Sequence, residues 1–310
     1  MMHAAELRAP PRLQSRLQAA ASSAAATSIG IVRVCHSPTS YDECTLSALS
    51  ASHHNPGIPQ TQYFVDGCEQ GRSSIFSRGA LERVVNTSVR MPKIYRWNAK
   101  LLTWLRSPYA VTLGLDCDVT LLHGSLLENV WTALGVHGSN DLARAYDWPQ
   151  WMQRLVPPMP CAGLVAWRNS SRVSRYFRAA LRAYRNGSAP AAWSKWHYKA
   201  RPGVNIRWSD QEALYYAFSG EHAANLKQLI LPESYLCPLQ WPSLASPPPR
   251  AVSAALPAKG GPGCLAVHAH TRRKCGGAPR KSVDNCAERE RDDLQRLRSG
   301  LPYTKGWLVE

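Results

Sequence analysis

From residue 29 onward the chain alternates short apolar runs with longer segments in which apolar residues recur every three or four positions. Ile29-Gly30-Ile31-Val32-Arg33-Val34-Cys35 reads as a first strand, residues 40–52 as a helix, and Gln62-Tyr63-Phe64-Val65 as a second strand. Residues 97–105 read as a helix with Lys100 on its polar side. It leads into Val111-Thr112-Leu113-Gly114-Leu115, which carries no charge on either face and so predicts a buried parallel strand. A helix over 125–134, a short strand over 141–146, a rigid loop at 157–160 and a strand over 161–167 follow. A basic helix over 172–185 stops at Asn186-Gly187. Ser209 and Glu212 form a capping box, which starts a helix through Phe218 with Asp210 and Gln211 in its first turn. A Pro-, Ala- and Gly-rich linker spans 243–263, a late strand 265–270 and a mixed-charge helix 283–298. Strand–helix alternation of this kind predicts an α/β fold with a mostly parallel, doubly wound central sheet flanked by helices. Three parts are expected: a disordered or targeting segment at 1–28, one domain at 29–275, and a charged helical tail at 276–310.

The strand at 111–115 ends in two carboxylates one residue apart, Asp116 and Asp118. In open α/β sheets, ligands bind beyond the carboxyl ends of such strands. Paired carboxylates there repel each other and lose solvation unless a cation or a donor-rich ligand compensates them. A hard divalent ion carrying a phosphate group, Mn²⁺ or Mg²⁺, is the usual compensation. Two Asp in a solvated loop is the plainer alternative.

Composition narrows the partners. A length of 310 residues with 45% hydrophobic residues supports a sizeable core, and a net charge of +16 implies an acidic partner. Lys and Arg are spread along the chain without an RNA-recognition or zinc-finger signature, so no specific nucleic acid is expected. Nine cysteines without a C-x-x-C pair argue against a zinc site and a compact disulfide framework, leaving one or two disulfides open. Sequons at Asn86, Asn169 and Asn186 lean toward a lumenal, secretory-pathway chain, with an organelle or the cytosol as alternatives. No stretch reaches the ~18–20 apolar residues of a membrane span.

Two families share parts of this pattern. Asp116-Cys117-Asp118-Val119-Thr120 matches the first motif of haloacid-dehalogenase-type phosphatases, with Asp116 as nucleophile. That fold opens with this strand, whereas strand-like segments precede it here, and it needs a downstream Lys and a second acidic pair. Residues 29–275 as a whole resemble the GT-A nucleotide-sugar glycosyltransferases, especially the retaining branch of glycogenin and the galactosyltransferase-like enzymes. Asp116-Cys117-Asp118 is similar to the family's D-x-D. Lys93 and Lys100 lie where its basic helix precedes that strand. Cys161-Ala162-Gly163 is similar to its N-A-G element with Cys for Asn, and Asp210-Gln211 to its D-Q element. His268 and Lys274 keep its six-residue spacing between the last metal ligand and a diphosphate-binding Lys.

The resemblance implies a GT-A (nucleotide-diphospho-sugar transferase) fold, a UDP-sugar donor, Mn²⁺ (or Mg²⁺) as cofactor, and a Golgi setting. The acceptor, whether glycan, protein or small molecule, is left open. It implies Asp116, Asp118 and His268 or His270 as metal ligands, with Lys274 toward the phosphates, to which Arg272 and Arg273 would add charge-assisted bonds. Asp116, Cys117, Lys93, Lys100, Ala162 and Gly163 would touch the nucleotide-sugar, and Asp210 and Gln211 would face the sugar. A third alternative is a non-catalytic binding module with blocked or misaligned carboxylates. The readings part on geometry: the transferase needs His268 or His270 at ligand distance from Asp118, with the strand at 29–35 bordering the same cleft. The phosphatase needs Asp116 facing a Lys and a second acidic pair.

Overall fold

A computed structural model describes residues 28–36, 38–65, 67–70, 76, 79–91, 96–134, 139–146, 160–186, 210–219, 225–231, 235–238 and 265–268. Its strands are β1 (Ile29–Cys35), β2 (Gln60–Phe64), β3 (Thr87–Arg90), β4 (Val111–Leu115), β5 (Val119–Leu121), β6 (Leu142–Tyr146), β7 (Pro160–Arg168), β8 (Gln228–Ile230), β9 (Cys237–Pro238) and β10 (Ala266–His268). Its helices are α1 (Tyr41–His54), α2 (Ala80–Val84), α3 (Arg96–Trp104), α4 (Ser125–Leu134), α5 (Ser171–Asn186) and α6 (Asp210–Ser219).

Seven strands form the central sheet in the order β3-β2-β1-β4-β7-β6-β8. The β3-β2-β1-β4 half is parallel throughout, as is β6 with β8, while β7 runs antiparallel to both its neighbours. The chain leaves β1 for β2 on one side and returns to β4 on the other, so a crevice opens between the carboxyl ends of β1 and β4. That is where the Asp116–Asp118 turn lies. A small second sheet, β5-β10-β9, carries His268 back to the same end.

Apolar side chains cover both faces of the sheet around β4 and β7, which is why β4 reads as a run without charge on either face. On one face α3, α5 and α6 bury Leu101, Trp104, Phe177, Ala180, Ala213 and Leu214 against Val32, Val34 and Trp167. On the other, α4 buries Leu126, Leu127 and Val130 against Ile31, Leu113 and Leu164. The rings of Trp104, Trp167 and Phe177 pack with centroids 5.2–5.3 Å apart. They close over Gly114, where a Cβ would come within 2.8 Å of Trp167 and 2.9 Å of Trp104. This contact seats α3 directly over β4. The outer face of α5 exposes Arg172, Arg175, Arg178 and Arg182, the solvated basic face that its sequence suggests.

Arg33 of β1 is fully buried without a carboxylate. Its guanidinium donates to Ser47 Oγ (2.8 Å), Gln60 Oε1 (2.6 Å) and Ser47 O (3.1 Å), fastening α1 to β1 and β2. Burial lowers its pKa to about 9. Two disulfides, Cys35–Cys68 and Cys44–Cys117, lie side by side at the carboxyl end of β1. Among the described residues no helix is long and apolar enough to cross a membrane.

The elements differ from the expected ones mainly where strands are short. β2 begins two residues earlier than expected, and β3, β5, β8 and β9 go beyond the expected strands, because two to four residues carry too little periodicity to register. The expected segments at 1–28 (all but its last residue), 157–159, 243–263 and 283–298 lie outside the described residues, as does Ser209 of the capping box.

Candidate active site

Asp116 is the first residue after β4. Its amide donates to Gly163 O of β7 (2.9 Å), and its carbonyl accepts from Val119 N (3.1 Å), which closes a turn around Cys117 and Asp118. The two carboxylates thereby point into the crevice. Cys117, between them, points away: it is buried and bonded to Cys44 of α1, in a cluster with Cys35, Tyr41 and Cys68. Its side chain anchors the turn from behind.

Lys100 is buried, contrary to the expected polar-side placement. Its ammonium lies 2.5 Å from Asp116 Oδ1 and 2.7 Å from Asp210 Oδ2, and 5.4 Å above the Trp104 ring. Burial opposes its charge, but the two carboxylates outweigh burial and raise its pKa. Burial pushes the Asp116 carboxyl upward, to about 6, against the pull of Lys100. Asp210 opens α6, where a helix N-terminus also favours a carboxylate. Lys100 thus ties three elements, α3, the β4 turn and α6, through one ammonium. Gln211 is half-buried beside Asp210.

His268, at the end of β10, is 6% exposed and places Nε2 3.2 Å from Asp118 Oδ1. Burial would lower its pKa, yet Asp118, with Cys161, raises it well above 6.5. The ring lies flat against Gly163, where a Cβ would stand 2.7 Å from Cε1. Asp116, Asp118 and His268 each offer a ligand atom, all within 4.8 Å of one another. Ala162 packs into the apolar layer under α5 and α6 instead of facing these groups. Lys93, His270, Arg272, Arg273 and Lys274 lie outside the described residues. A cavity of about 470 Å³ lined by Leu49, Ile58, Phe76, Arg83 and Asn86 sits at the other end of the sheet, by the amino ends of β2 and β3.

Sequence reasoning missed three connections. Lys100 falls at i+3 from Trp97 and four residues before Trp104, so helical spacing already placed it on the apolar face. The Cys44–Cys117 bond and the contact of Cys161 with His268 join residues 73 and 107 apart, and no local pattern signals them.

No protein-family model matches the chain, and no curated protein is similar to it in sequence. Among solved structures it is similar to the galactosyltransferase LgtC in complex with donor and acceptor sugar analogues, at 13% identity and a TM-score of 0.46. That match covers 84% of this chain and 95% of the other. It is also similar to the glycosyltransferase GlyE of Streptococcus pneumoniae TIGR4, at 14% identity and a TM-score of 0.48, over 89% of this chain and 64% of the other. The bifunctional glycosyltransferase WbbM matches at 11% identity and a TM-score of 0.44, over 92% of this chain and 52% of the other.

Proposed function

We propose that this protein is a metal-dependent glycosyltransferase that moves a sugar from a nucleotide diphosphate, a UDP-sugar, to an acceptor. The observation that carries the reading is the convergence of Asp116, Asp118 and His268 within 4.8 Å at the β1–β4 switch point. Two carboxylates and an imidazole fit Mn²⁺ better than Mg²⁺, because imidazole suits borderline ions. Bound there, the ion would neutralise the charge that develops on a diphosphate leaving group. Lys100 holds Asp116 and Asp210 in place. Gln211, next to Asp210, is the group we assign to the face of the sugar opposite the diphosphate, where positive charge develops as the glycosidic bond breaks. The two disulfides and the sequons favour a lumenal setting.

The phosphatase alternative fits less well. Asp116 does face a Lys, but β4 follows three strands of the same sheet, and Asp118 is engaged by His268. The carboxylates converge on one point, unlike those of the binding-module alternative.

Incubation with a panel of UDP-sugars and Mn²⁺, read as UDP release, tests the proposal. Release above background with at least one donor is expected. Bound Mn²⁺ without release from any donor would leave only a binding role. Gln211→Ala should cut turnover about 10-fold or more while leaving UDP affinity nearly intact, because UDP lacks the sugar. Parallel losses of both would move Gln211 into the nucleotide site.

Metal uptake should also release a proton. Asp118 and Cys161 raise the pKa of His268 above that of a free imidazole, and the ring must give up its Nε2 proton to ligate. Mn²⁺ affinity should therefore weaken as pH falls from 7.5 to 6, approaching about tenfold per pH unit where the imidazole is protonated. Below about pH 6, protonation of Asp116 should steepen the fall. A flat Mn²⁺ titration across this range would remove His268 from the ligand set.

A further inference from the structure

An imidazole that ligates through Nε2 keeps its remaining proton on Nδ1, and that proton needs an acceptor. A carboxylate, backbone carbonyl or water is the usual partner. In this chain the group at Nδ1 of His268 is the sulfur of Cys161, 3.6 Å away. Cys161 is 1% exposed, so bulk water does not compete for the contact. The sulfur is itself held, because Gly163 donates its amide to it at 3.3 Å.

The strand geometry produces this arrangement. Arg144 of β6 pairs with Val165 of β7, yet Tyr146 pairs with Pro160, so the register breaks beside residues 161–164. Such irregularities re-aim side chains next to active sites. Here the break accompanies a Cys and a Gly that meet the same ring: Gly163 underlies its face and Cys161 its Nδ1 edge, while Asp118 meets Nε2.

We propose that Cys161 is the positioning residue for His268: its sulfur accepts the Nδ1–H bond and holds the ring with Nε2 turned toward Asp118 and the metal. The metal part of this statement rests on the function proposed above, whereas the hold on the ring does not. Cys161 acts through His268.

The test uses the full chain. Cys161→Val keeps the bulk and removes the acceptor, while Cys161→Ser keeps an acceptor at slightly shorter reach. With Mn²⁺ titrated in the presence of UDP, the Val variant should bind about tenfold more weakly or worse, and the Ser variant within about fivefold of the parent. A second readout needs no metal. In protein labelled with ¹⁵N-histidine, a slowly exchanging Nδ1–H resonance of His268 should be present in the parent and the Ser variant and lost in the Val variant. Parent-like behaviour of the Val variant in both measurements overturns the proposal, as does an equal loss in Val and Ser, which would mean packing alone. Should Cys161→Val fail to fold, Cys161→Ala carries the same comparison. If the parent binds no Mn²⁺ but the resonance behaves as stated, the metal reading falls and the hold of Cys161 on the ring stands.

Discussion

Replacing Lys100 with methionine should cost the folded protein about 3–5 kcal/mol, the penalty of removing one partner from a buried ion cluster. Methionine matches the length and apolar stem of lysine, so the packing against Trp104 survives and the loss reports charge. Lys100 is 1% exposed and its ammonium answers two carboxylates, Asp116 and Asp210. Two further results follow from this assignment. Adding Asp210→Asn to the variant should recover part of the loss, because one uncompensated charge is gone. Without the ammonium, Asp116 loses the cation that opposes its burial, so its folded-state pKa should rise further. A raised carboxyl pKa means that the deficit is largest above that pKa and shrinks as pH falls toward the unfolded value of about 4. Urea denaturation of the parent and both variants at pH 7 and pH 4.5 checks all three. A single variant that unfolds like the parent at pH 7 would show that the cluster is not a structural centre.

Asp118→Asn should act in the opposite way, with a small effect on stability and a large one on chemistry. The amide is isosteric and sits at a partly exposed turn, 24% exposed at the side chain, so the melting temperature should stay within a few degrees. Its neutral oxygen is a poor ligand for a hard or borderline cation, and turnover should fall about 100-fold or more, with Mn²⁺ affinity falling alongside. Unchanged UDP release by this variant in Mn²⁺ would rule out the metal role of the carboxylate. Measuring both variants together separates the parts of the site: Lys100 carries the scaffold, and Asp118 carries the ligand.

Much of this arrangement was legible in the order of residues. β1, β4, α4, α5 and α6 form where apolar spacing put them, because each presents a continuous face of adequate length. The D-x-D turn could be placed at a strand end by the strand alone. His268 could be linked to it only by resemblance, since 150 residues separate it from Asp118. What the sequence could not reveal is what the carboxylates bond to. Lysine is rarely buried, so Lys100 reads as polar despite its spacing from Trp97 and Trp104, and the tertiary partners Asp116 and Asp210 are what stabilise its burial. Ala162 and Gly163 read together as contacts to the donor, but successive strand residues face opposite sides of the sheet, so Ala162 joins the apolar layer while Gly163 meets His268. Cys117 was assigned to the nucleotide from its place in the motif, whereas a cysteine 73 residues earlier claims its side chain.

That last bond reaches beyond the site. It closes a loop of 73 residues, and a cross-link of this span removes about 4 kcal/mol of conformational entropy from the denatured chain. The sulfurs of Cys35, Cys44 and Cys117 lie within 4.8 Å of one another, so the second bond reinforces the same corner. A turn fastened in this way stays formed when no ligand is bound, and ligand capture need not supply the free energy of ordering it. The same fastening persists only where thiols remain oxidised. In surroundings rich in reduced glutathione or thioredoxin, the turn would keep its backbone bonds but lose the hold of Cys117 from behind, so the readiness of this site is set in part by the electron supply of the compartment that holds the chain.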